Sequence, residues 1–84
     1  MTRALSTIAS DIMRTWRKPH FAAMPYIQAM RACHTLADNY GADSAQSIVR
    51  YFLANADTWR GPDARRIKLE LHAMLREYDK KAKR

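Results

Sequence analysis

Apolar residues recur at helical spacing in four stretches of the chain, and polar residues fill the positions between them. From about residue 4 to 17, Leu5, Ile8, Ala9, Ile12, Met13 and Trp16 form one stripe, with Arg3, Ser10, Arg14 and Arg17 outside it. Pro19 stops this first helix, because the residue before a proline is driven out of the α region. A second helix is predicted from about 24 to 40. Pro25 lies in its first turn, Tyr26, Ala29, Met30, Cys33, Leu36, Ala37 and Tyr40 share one face, and Gly41 is its C-terminal cap. Phe21 and Met24 should plug the core from the turn before it. The strongest run, Ile48, Val49, Phe52, Leu53, Ala56 and Trp59, predicts a third helix from about 44 to 59. Asp43 and Gln46 have the spacing of a capping box at its start, and Gly61 and Pro62 end it. In the fourth helix, from Pro62 to about Asp79, the core stripe is Ala64, Ile67, Leu71, Met74, Leu75 and Tyr78. The expectation is an all-α, compact single-domain bundle of about four helices over residues 1–79, with a basic tail at 80–84.

The pentapeptide Thr-Trp-Arg-x-Pro occurs twice, as TWRKP at 15–19 and TWRGP at 58–62. The residues around the two copies do not align at the same offset. Helix-end chemistry used twice is therefore preferred to an internal duplication.

Composition narrows the class. Eighty-four residues, 48% of them hydrophobic, suffice for one core. The single Cys33 excludes an intramolecular disulfide and reads as a small core residue in a reducing compartment. Polar residues interrupt the N-terminal segment too often for a signal peptide, and no apolar stretch is long enough to span a bilayer. A cytoplasmic protein with no membrane association is expected. His20, His34 and His72 are scattered, no glycine-rich loop exists, and the carboxylates form no close pair. Those absences argue against an enzyme, a metal site or a cofactor.

Charge supplies the functional signal. The net charge is +7, and it is uneven: six basic residues face four acidic ones up to Trp59, whereas nine face four from Arg60 onward. On the fourth helix Asp63, Glu70 and Glu77 lie on one flank, and Arg65, Lys68, His72 and Arg76 on the other. Extended by Lys80, Lys81, Lys83 and Arg84, that row suits phosphate contacts with nucleic acid, with Arg65, Lys68, His72, Arg76, Lys80 and Lys81 as the site. A solvated face or interhelical ion pairing explains the same pattern. The other functional class is a protein-interaction module docking its basic face on an acidic partner, or forming a homodimer. For it the off-stripe Tyr51 with Arg50 and Asn55 is the candidate contact. A helix-turn-helix over LADNYGADSAQSIVRYFL fits poorly, because Ser47 stands where an inward aliphatic residue is needed and the third helix offers one cation.

The segment DNYGADSAQSIVRYFLANADTWRGPDARRIKLELHAML, residues 38–75, resembles small helical proteins carried by bacteriophages and prophages. That resemblance implies a bacterial cytoplasm and an accessory role, such as modulating host nucleic-acid machinery or countering a defence system.

Overall fold

Helix α1 spans Leu5–Thr15 and buries the face that its spacing marks out. Leu5, Ile8, Ala9 and Ile12 are inaccessible to solvent, while Met13, at the edge of the stripe, is 37% exposed. The computed structural model describes residues 3–82. No side chain caps the start of α1; instead the Leu5 and Ser6 amides donate to the carbonyls of His34 and Cys33, both at 2.9 Å. Those are two of the four amides that a helix start leaves without an internal partner.

The loop that supplies these carbonyls is a departure from the sequence reading. Helix α2 covers only Met24–Arg31 and stops nine residues before the expected end. Cys33 and Leu36 are still buried, but they reach the core from an irregular loop. Asp38 holds that loop by accepting from the His34 and Thr35 amides at 2.7 and 3.1 Å, a local side-chain competitor to helical bonding. The chain then forms a two-residue antiparallel hairpin, β1 (Asn39–Tyr40) with β2 (Asp43–Ser44), in which Tyr40 is opposite Asp43. Gly41 is therefore a turn residue and not a helix cap. It has φ 62° and Ala42 does not share the positive φ, the pattern of a type II′ hairpin turn. Tyr40 and Ala37, expected in the core, are exposed, and a hairpin in place of a preceding helix removes any helix-turn-helix.

Helix α3 spans Ala45–Ala54, ending five residues before its expected end, and buries Ala45, Ile48, Val49 and Phe52. Its cap is Ser44, one place later than the Asp43 expectation: the Ser44 hydroxyl accepts from the Ser47 amide at 3.3 Å. Ala56 and Trp59 are buried from the turns that follow. Helix α4, Pro62–Ala82, begins at the expected proline and continues through Lys80 and Lys81. Asp63 lies in its first turn, where the helix dipole favours a carboxylate.

The two pentapeptides meet in space. Trp16 closes α1 and Trp59 precedes α4, and their rings stack at 5.2 Å with planes 8° apart. Phe52 meets both edge-on, at 6.4 and 6.3 Å. The repeat thus builds one aromatic cluster that ties the end of α1 to the start of α4. Phe21, expected to plug the core, is 82% exposed instead. The fold is a mostly helical, single small domain with one core running from Leu5 to Leu75.

Candidate functional site

The flanks of α4 have different fates. On the acidic flank, Glu70 accepts two bonds from the Arg3 guanidinium, at 2.7 and 2.9 Å. Arg66 bridges Asp63 and Asp11, and Asp11 also takes Arg3 and Arg14. Six charges, Arg3 and five on α1 and α4, are thereby linked in a network centred on Asp11, whose residue is only 8% exposed. The guanidinium of Arg66 foremost, with those of Arg14 and Arg3, holds the Asp11 carboxyl down at about 2, against the upward push of its burial. The bond to Glu70 in turn raises Arg3 above its ordinary range.

This cluster sets the acid response. The folded Asp11 pKa lies below the unfolded value of ~3.9, so its stabilisation is complete above about pH 4 and is lost as pH falls toward 2. Asp38, lowered by the His34 amide and then the Thr35 amide, acts with the same sign. Thermal melts between pH 7 and 2.5 should show a progressive loss below pH 4. Asp11→Asn should cost about 1–2 kcal/mol at pH 7 and flatten that loss; an unchanged acid profile would remove Asp11 as its cause.

The opposite side of α4 is open. Arg65, His72, Arg76, Lys80 and Lys81 are exposed, and none of their side chains forms a hydrogen bond or ion pair with another described residue. Arg65, His72, Arg76 and Lys80 fall within one outer arc of the helix at 100° per residue. Lys81 turns toward the acidic flank and lines a separate cleft with Arg3, His34, Leu36, Met74 and Tyr78. Lys83 and Arg84 lie outside the described residues.

Lys68 departs from the row. Its ammonium donates to the carbonyls of Ala56 and Trp59, both at 2.7 Å, and lies 5.9 Å from the Trp59 ring centroid. It is a clamp on the turn between α3 and α4, and its donors are engaged inside the molecule. Lys68→Met should lower stability by about 1–3 kcal/mol in urea titrations, because two carbonyls lose a charged donor. A loss below about 0.5 kcal/mol would mean that water replaces the clamp. Spacing on α4 could not show this, since the partners lie nine and twelve residues earlier in a turn.

Leu69 is the site residue that charge counting missed. It is 63% exposed and lies four residues after Arg65 and three before His72, in the middle of the cationic arc. Beside it runs a groove lined by Trp59, Arg60, Gly61, Arg65, Lys68 and His72.

The second candidate surface is largely used internally. Arg50 bonds Gln46 at 2.9 Å and pairs with Asp79 at 2.7 Å, and the Asn55 amide donates to the Tyr51 carbonyl at 2.8 Å, closing α3. Tyr51 is 54% exposed, with its ring tilted against Tyr26 of α2 at 5.7 Å, and not against α1.

Among the described residues no group of three His, Cys, Asp or Glu side chains could hold a metal ion. Cys33 is 1% exposed, and burial followed by the nearby Asp38 charge pushes its thiol pKa up, away from the reactive thiolate. No helix among those residues is long and apolar enough to cross a membrane.

Fold and surface together define a small, mostly helical protein in which one face of α4 presents cations with no ion-pair partner among the described residues. The chain matches no protein-family model, no curated protein and no solved structure.

Proposed function

We propose that this is a non-enzymatic accessory protein that binds nucleic acid through phosphate contacts from the outer face of α4. The observation that carries the reading is the division of charge on that helix: Glu70 and Asp63 on the acidic flank are paired with Arg3 and Arg66, while Arg65, Arg76 and Lys80 have no acidic partner among the described residues. Arg65 and Arg76 are eleven residues apart, roughly 16 Å along the axis, which spans two or three phosphates of a strand. Point charges and guanidinium forks on such a rod read backbone and not base edges, so sequence preference should be slight. A bacterial cytoplasm and an accessory role, implied by the bacteriophage resemblance, suit a protein of this kind.

Leu69 favours a second reading, in which the same cations surround an apolar anchor for an acidic protein surface. Fluorescence anisotropy with labelled duplex and single-stranded oligonucleotides, at low and near-physiological salt, separates the two. Nucleic-acid binding predicts submicromolar affinity that persists at the higher salt, with a log–log salt slope reflecting several released counterions. Loss of all binding at that salt would turn the assignment toward the protein partner.

A further inference from the structure

Between α1 and α2 the chain reads RKPHF, residues 17–21, and carries no acidic residue. Arg17, Lys18, His20 and Phe21 are all exposed, and neither Arg17 nor Lys18 has an ion-pair partner among the described residues. Phe21 is the most exposed large apolar side chain described, at 82%. Its ring stacks on that of His20 at 4.8 Å, with planes 25° apart. The arrangement is held in place: the His20 carbonyl accepts from the Ala23 amide at 2.9 Å, and His20 Nδ1 accepts from the Ala22 amide at 3.1 Å. The backbone turn and the imidazole are therefore both held, and the phenyl ring covers one imidazole face and turns its own outer face to solvent. The same loop begins at Trp16, whose stack on Trp59 brings the Arg17 and Arg60 positions of the two pentapeptides to one end of the molecule. Arg60 is exposed there and lines the groove that leads to Arg65 and His72.

We infer that the His20–Phe21 stack is a base-stacking platform for single-stranded nucleic acid, with Arg17, Lys18 and Arg60 holding the flanking phosphates. An unstacked base presents a flat apolar face to an exposed aromatic ring, and every base does so, while Asn55, Asp57 and Thr58 line the cleft on the His20 side and leave the outer face of Phe21 as the stacking surface. A duplex hides those faces, so the platform selects single strands, whereas the cations alone would not discriminate. The inference rests on the nucleic-acid reading and adds to it the form of the polymer.

The test uses labelled oligo-dT, oligo-U and a mixed-sequence duplex with the wild-type chain, Phe21→Ala and Phe21→Trp. Phe21 is nearly free of neighbours, so thermal melts of both variants should match wild type. Expected are tighter wild-type binding of a single strand than of the duplex, and a weakening of about tenfold to a hundredfold for Phe21→Ala on the single strand alone. Phe21→Trp should keep wild-type affinity. Single-strand binding, to oligo-dT or oligo-U, that weakens in Phe21→Ala supports the platform. Unchanged single-strand affinity in Phe21→Ala, or wild-type binding confined to the duplex, overturns the platform and leaves the α4 reading standing. Binding of no oligonucleotide overturns both.

Discussion

Trp59→Ala should remove most of the stability of the domain. A buried tryptophan truncated to alanine costs about 3–5 kcal/mol, and a chain of this length has on the order of 4–12 kcal/mol in all. Trp59 is 4% exposed, and its ring stacks on Trp16, meets Phe52 edge-on and lies beside the Lys68 ammonium. Truncation therefore opens a cavity where the end of α1, the middle of α3 and the start of α4 converge. Urea titration followed by far-UV circular dichroism should show a midpoint far below wild type, or a chain partly unfolded without denaturant. Trp59→Phe retains an aromatic face and should lose about half as much. A loss under about 1 kcal/mol for Trp59→Ala would mean that the stack is peripheral to the core.

The largest effect on binding is expected from Arg65→Glu combined with Arg76→Glu. Each reversal deletes a phosphate contact and places a like charge at the same point, so affinity at near-physiological salt should fall by about a hundredfold or more. The log–log salt slope should drop by about two, roughly one per contact. Both side chains are exposed and unpaired among the described residues, so stability should stay within about 0.5 kcal/mol of wild type. Lys68, which the charge pattern puts in the same row, is unsuitable for this test, because its reversal would set a carboxylate against the Ala56 and Trp59 carbonyls. Wild-type affinity in the double variant would remove α4 from the interface.

The contrast between these arginines and Lys68 shows what a sequence conveys and what it hides. The stripes of α1 and α4 were legible because burial on one side of a long helix leaves a period near 3.6 residues, and Ile8, Ile12, Ile67 and Leu71 are all fully buried. The acidic flank of α4 was legible from its seven-residue spacing, although its partner Arg3, just before α1, and the Asp11 carboxylate that shares Arg66 depend on how the helices pack. The second helix was overextended because Cys33 and Leu36 keep helical spacing while reaching the core from a loop. The loop that replaces the end of the helix is held by Asp38 on the His34 and Thr35 amides and by the Leu5 and Ser6 amides on the His34 and Cys33 carbonyls, and of these two holds only the first lies within the 32–40 segment itself. Likewise the repeated pentapeptide was visible as a repeat, but the stacking of its tryptophans was not, since contact across 43 residues leaves no local trace.

Capping α1 by main-chain carbonyls makes its start non-local. A helix capped by its own serine or aspartate satisfies its first amides within its own sequence, whereas those of Leu5 and Ser6 are satisfied by His34 and Cys33, nearly thirty residues downstream. Hydrogen exchange at the Leu5 and Ser6 amides should therefore report opening of the Cys33–His34 loop as well as fraying of α1.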